Sequence, residues 1–151
     1  MRSAELFSLR PGEEAHITFK KNEDVSIWTA AVEVASTPEA QAKGLSERTH
    51  LDDGEGMLFV FPRRNVVPFT MADTEVDLDI IFMNRVVSTD GNLVGFEVVN
   101  IESRMAHDRE FAAPTEDIDT VLEIPYGSAF AMMLARGDVI KFEHIHYVSP
   151  E

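Results

Sequence analysis

Carboxylates and histidines are the side chains spaced closely enough in this sequence to suggest chemistry. Asp77 and Asp79 lie two residues apart among strand formers, so they share one face of a strand. With Asp73 they could gather around a hard cation, which takes oxygen ligands. The alternative is a surface Asp77 and a buried Asp79 paired with Arg48, because a guanidinium–carboxylate fork tolerates burial best. Glu123 and Asp138 are a second candidate set, for acid–base work in a cleft. The competing reading is that Asp138 only shapes the turn at Gly137 while Glu123 pairs with Arg136. His144 and His146 share a face of the last strand and are weak zinc candidates, needing a third ligand such as His16 or Glu33. A solvated strand face explains them more simply, so no metal is assigned. Asp52-Asp53-Gly54-Glu55 resembles part of a calcium loop but lacks its ligand spacing and closing glutamate. Ser46, Ser88, Ser103 and Ser128 lie outside any nucleophile elbow, and no glycine-rich loop is present to cradle a phosphate. No catalytic residue and no cofactor follow from these patterns.

The elements that must position these groups are short. Ala15–Lys20 and Ile27–Val34 alternate as strands. Ser36 or Thr37 is a good cap for a short helix that opens on Pro38 and stops at Gly44. Met57–Phe61 is an apolar strand ended by Pro62, and Phe69-Thr70-Met71 is a short strand. Leu78–Met83 is a strand with both faces partly buried, and Val86–Phe96 is a hairpin turning at Asp90-Gly91 in a primed turn. Thr120–Ile124 is a strand, Ser128 caps a second short helix, and Val139–Tyr147 alternates as the closing strand. Pro11-Gly12 and Lys21–Asp24 read as turns. Phe59, Phe61, Phe69, Phe82, Phe96, Phe130 and Phe142 are the expected core, and Trp28 is either core or a stacking residue at a cleft mouth. Without a βαβ rhythm, the expected fold is mostly β: a compact sandwich or partly open barrel of short strands with two short helices.

The length of 151 residues suits one globular domain. Residues 1–24 form an N-terminal extension with one strand, and 25–151 the main domain. The absence of cysteine excludes disulfides, thiolate metal sites and cysteine nucleophiles. A net charge of −14, with Lys20, Lys21, Lys43 and Lys141 as the only lysines, excludes bare nucleic acid and anionic membrane as expected partners. The acidity suits solubility, adaptation to salt, or attraction to a basic partner. No signal peptide or transmembrane run is read, so the expected setting is the cytoplasm or a virion.

Several segments together resemble the DUF192 (UPF0127) family. Ser36–Leu45 followed by Arg48 is similar to the family's helix and its Gly-Leu-Met-x-Arg motif. Gly56–Pro62 matches its most recognisable segment almost letter for letter, and Phe69–Thr74 lies where the family has Phe-Trp-Met-Lys-Asn-Thr. Leu78–Phe82, Val121–Gly127 and Gly137-Asp138 match its later strands, helix and turn. The resemblance runs from about Thr29 to Phe142 and implies a compact β-rich fold without an assigned activity. The chain departs from the family at Ser46 (for Met), Thr70 (for Trp), Ala72 (for Lys) and Asp73 (for Asn).

Two functional expectations follow. The first is a non-enzymatic structural or interaction protein, a subunit of a larger assembly such as a phage or virus particle. Its protein partner or second copy would pair with an edge strand at Ala15, His16, Ile17, Thr18 and Phe19. The second is a small-ligand binding domain, such as one for carbohydrate, or an enzyme, with Arg48, Asp73, Asp79, Glu123 and Asp138 converging in one cleft.

Overall fold

The computed structural model describes residues 2–9, 14–20 and 26–146. Seven strands form it: β1 (Glu14–Lys20), β2 (Ser26–Ala35), β3 (Glu55–Asn65), β4 (Leu78–Val87), β5 (Leu93–Arg104), β6 (Ile118–Pro125) and β7 (Val139–His146). They close into a barrel in the order β1-β2-β3-β6-β4-β5-β7. Closure settles the choice between sandwich and open barrel. β7 pairs with β5 through Gly95–Glu97 and with β1 from end to end, so both flanks of the sheet meet. Only β2 and β3 run parallel, which requires a crossover between them, and helix α1 (Pro38–Lys43) provides it. Helix α2 (Ser128–Ala131) follows β6. The expected turns at Pro11-Gly12 and Lys21–Asp24 lie outside the described residues.

Strand alternation divides the apolar side chains into two cores. Ile17, Phe19, Val32, Leu58, Val60, Ile81, Met83, Phe96, Leu122, Ile124 and Ile140 point into the barrel and fill it. Phe59, Ile80, Phe82, Val121 and Met57 point outward on the β3–β6–β4 side. There they form a second core, covered by Leu45, Met71, Val76 and Ala112 from the connections. The barrel is stoppered at its ends. Leu6, in a 3-10 helix (Ser3–Ser8), is fully buried against the interior, and so are Ala129 and Met132 around α2. The interior is therefore packed, and room for a ligand lies outside it.

Local signals explain most elements. Thr37 Oγ1 accepts from the Ala40 N–H at 3.2 Å, Pro38 opens α1, and Gly44 ends it at φ +49°, a left-handed conformation that favours glycine. Four expectations are corrected. β3 continues through Pro62, because its register with β6 is interrupted between Val60 and Asn65 and no ladder bond is lost. The β4–β5 connection is not a two-residue primed turn: Ser88 and Asn92 still bond across it, and only Gly91 has positive φ. Phe130 is not core but 89% exposed. Phe69 makes only an isolated bridge with Ala112 rather than a strand.

Candidate functional site

Helix α1 has no buried residue of its own and sits over the second core. Gln41 ties it down, donating from Nε2 to Ala35 O at 3.2 Å and Val60 O at 2.9 Å. Leu45, buried just beyond, holds the exit. Gly44 crosses above the Phe59 ring, where an added Cβ would stand 3.5 Å from the ring carbon. A cleft of about 370 Å³ opens between this helix exit and the 67–74 segment. Phe59 and Phe61 of β3 and Phe69 wall it, Ser46, Thr70, Asp73 and Thr74 supply polar atoms, and Glu123 of β6 lies at its base. Phe59 meets Phe69 edge-on at 5.1 Å, and Phe69 meets Phe82 at 5.9 Å, so the aromatic wall is braced from behind.

Glu123 lies two residues beyond Val121 on β6 and so shares its outward face, that of the second core. Its neighbours across the ladders are Met57 on β3 and Ile80 on β4, both apolar. Gly56 lets β3 pass close by, since a Cβ there would collide with the Glu123 carbonyl. The side chain is 6% exposed, and among the described residues no hydrogen bond or ion pair engages its carboxyl. Burial alone raises its pKa to about 8. At neutral pH the cleft therefore holds a protonated carboxyl, able to donate one hydrogen bond and accept others.

A larger cleft, of about 550 Å³, lies on the other side of α1 and is lined by Glu33, Glu39, Lys43, Glu47, Arg48 and apolar residues. Both of its cations are already paired with acids. Arg48 Nη2 is 3.3 Å from Glu33 Oε2 and Nη1 is 3.9 Å from Glu55, while Lys43 is 3.2 Å from Glu47. Exposed pairs of this kind carry little energy. We place the candidate site in the smaller cleft because only there does a buried ionisable group lack a partner.

The five expected cleft residues do not converge. Asp73 and Glu123 line the smaller cleft and Arg48 the larger one. Asp79 is 1% exposed and is not paired with Arg48. It points to the barrel interior, accepting from Ser103 Oγ at 2.6 Å and from the Ala129 N–H at 2.9 Å. It thereby caps α2, whose own N-cap is Gly127 rather than Ser128. Asp138 accepts from the Ala135 N–H at 2.9 Å and shapes the turn at Gly137, and Arg136 pairs with Glu116 rather than Glu123. Asp77 accepts from the Ala106 N–H at 2.7 Å, so the three aspartates do not form a cation site. No metal-binding group of acids and histidines occurs among the described residues, and the side chains of His144 and His146 lie outside them.

The interface expected at Ala15–Phe19 is also corrected. β1 is bonded to β2 on one side and β7 on the other, so it offers no free edge. Ala15, Ile17 and Phe19 are wholly buried, and Trp28 packs against Phe19 with ring centres 4.7 Å apart and planes tilted by 55°, rather than lining the candidate cleft. Sequence reasoning missed the charged network of Arg85. Its guanidinium donates to Phe61 O at 2.8 Å and to Asp119 O at 2.9 Å, and lies over the Phe7 ring at 5.2 Å. Burial pulls the pKa of Arg85 down, and the Asp119 carboxylate opposes that.

Comparison with known proteins agrees with this architecture. The model of the DUF192 family, described as Uncharacterized ACR, matches residues 17–142. A solved protein of unknown function from Novosphingobium aromaticivorans DSM 12444 is 30% identical, with a TM-score of 0.67 over 85% of this chain and 83% of that one. A Sinorhizobium meliloti 1021 protein, provisionally named a transcription regulator, shares the fold at a TM-score of 0.73 and 22% identity, over 89% of this chain and 96% of that one. No curated protein matches.

Proposed function

The chain belongs to the DUF192 family, and from that premise we propose that it is a small-molecule-binding domain whose site is the cleft between α1 and the 67–74 segment. One observation carries this reading: Glu123 is a buried, unpaired carboxyl at the base of an aromatic-walled cleft. An isolated ionisable group in apolar surroundings costs stability, and such groups concentrate where a ligand completes them. Three of the four positions at which the chain departs from the family motif, Ser46, Thr70 and Asp73, line the same cleft. Substitution there retunes what the cleft accepts. Binding rather than catalysis is proposed because, among the described residues, no hydrogen bond or ion pair joins Glu123 to a base or nucleophile. Backbone-amide NMR against a chemically diverse fragment library tests this. Bound fragments are expected to move the resonances of Gly44, Ser46 and Thr70, and Ser46→Phe, which fills the cleft, to abolish the response. A library that leaves those resonances still overturns the reading.

A second reading, as an interaction protein in a larger assembly, rests on α2. Phe130 is 89%, Met133 69% and Tyr126 52% exposed, and large apolar side chains gathered on one surface segment favour a protein contact. Light scattering at low and high salt tests it. A mass above the monomer that falls on Phe130→Ser supports self-assembly, and a monomer in every salt removes it.

A further inference from the structure

We infer that the cleft under α1 takes a small organic cation, an ammonium group carried on an apolar body. This deepens the binding reading above and rests on it. The base of the cleft holds a carboxyl that no arginine, lysine or histidine among the described residues reaches, so the positive charge that would complete it comes from a ligand. Phe61 and Phe69, both partly exposed, line it, with Phe59 buried behind them. Aromatic rings supply apolar contact and attract cations through their negative faces. The size of about 370 Å³ is at the small end of ligand pockets, which span roughly 300–1,000 Å³.

The charge of the whole protein points the same way. Among the described residues, Asp73 and Lys43 are the only further charged side chains lining the cleft, one of each sign, and Lys43 stands 3.2 Å from Glu47. A net charge of −14 concentrates cations near the surface and repels anions. Across the ladders from Glu123 stand only Met57 and Ile80, so nothing within the sheet competes for its charge. An ammonium seated at Glu123 favours the carboxylate, and the carboxyl proton leaves to solvent as the cation enters. Charge at the base of the cleft is then balanced in both states: a neutral acid when empty, an ion pair when filled.

Titration calorimetry with benzylammonium, benzyl alcohol and benzoate tests this, using the whole chain at neutral pH in two buffers of different ionisation enthalpy. Benzylammonium is expected to bind about tenfold or more tighter than the alcohol, as a charge-assisted hydrogen bond would give. Its heat is expected to change with buffer because about one proton is released per cation bound. Glu123→Gln is expected to remove both the preference and the proton release, with Glu123→Leu as a second variant that cannot hydrogen-bond at all. Equal binding of the alcohol and the ammonium, or an ammonium preference that survives Glu123→Gln, overturns the cation while leaving the cleft as a site. Failure of all three probes in a protein whose Ser46 and Thr70 resonances respond to other fragments does the same. Silence to every fragment overturns both readings together.

Discussion

Asp79 and Ala129, fifty positions apart in the chain, are joined by a 2.9 Å hydrogen bond from the Ala129 N–H to the Asp79 carboxylate. A strand residue thus caps the helix that stoppers the barrel, doing from β4 what a neighbouring serine would do locally. The other carboxylate oxygen takes the Ser103 hydroxyl at 2.6 Å, so one side chain ties β4, β5 and α2 together.

Removing that carboxylate leaves two donors without an acceptor at the end of a packed barrel. Asp79→Ala is expected to cost on the order of 3 kcal/mol, since bonds to a buried charge are worth about 1.5–3 kcal/mol each and are not additive. Asp79→Asn, which keeps one acceptor oxygen, is expected to lose about half as much. Urea unfolding of both variants checks this. Loss of less than about 0.5 kcal/mol in Asp79→Ala would mean that the cap is not holding α2.

Glu123 makes stability depend on pH in an unusual direction for a glutamate. Its folded pKa of about 8 lies above the ordinary value of 4.5, so the folded state holds its proton more tightly than the unfolded chain does. The resulting stabilisation is fully present below pH 4.5 and is lost as pH rises through about 8. Glu123→Gln does not titrate. It is expected to gain on the natural protein progressively between about pH 5 and pH 9, by roughly 3–5 kcal/mol in all at about 1.4 kcal/mol per unit. Denaturant unfolding of both proteins across that range isolates the effect, because every other titration is shared. Curves that stay parallel would place the carboxyl in contact with water.

Met133 follows α2 with φ at +54°. The Leu134 N–H bonds back to Ala129 O at 3.0 Å, so Met133 occupies the left-handed position that ends many helices and that glycine fills without strain. Its side chain is 69% exposed and contributes little burial to offset this. Met133→Gly is expected to raise stability by about 0.5–1 kcal/mol, read as an increase of a few degrees in Tm. A fall instead would show that the thioether contributes packing that outweighs the backbone strain.

What the sequence made legible, and what it hid, follows the range of each interaction. Thr37, Pro38 and Gly44 act on their own helix, and α1 lies where they put it. Alternation at β1 and β7 marks both as strands, but their pairing with each other closes the sheet across the length of the chain, and no local pattern encodes that. Barrel closure was therefore invisible, and with it the fate of Ala15–Phe19. The apolar runs of β3, β4 and β6 conceal alternation because both faces are covered, one by the barrel interior and one by the second core. Glu123 is readable as a lone acid in such a run, but its isolation at a cleft base depends on α1 and the 67–74 segment arriving from elsewhere. Arg48 chose Glu33 and Glu55 because β2 and β3 are adjacent and parallel, which puts both acids on its side of α1.

Arg85 gives the strongest test of how the barrel tolerates an interrupted ladder. β3 and β6 are paired up to Val60 and Thr120, then again only at Asn65 and Ile118. The carbonyls of Phe61 and Asp119 fall in this gap. The Arg85 guanidinium reaches both, at 2.8 Å and 2.9 Å, and its backbone N–H also bonds to the Asp119 carboxylate at 2.9 Å. Only a planar fork can serve two carbonyls on different strands, so Arg85→Lys is expected to fail although it keeps the charge. A loss of about 2–3 kcal/mol is expected for lysine, and about 3–5 kcal/mol for Arg85→Ala, which also takes the guanidinium from beside the 7%-exposed Asp119 carboxylate and leaves it the Thr120 hydroxyl, the backbone N–H and Arg64 at 3.7 Å. Arg85→Met combined with Asp119→Leu removes both charges, and is expected to recover part of the loss seen with alanine. Urea unfolding of the set decides between two physical origins. If lysine behaves like arginine, charge alone holds the gap, and if the double variant is no better than alanine, the missing hydrogen bonds to Phe61 and Asp119 outweigh the lost charge pair.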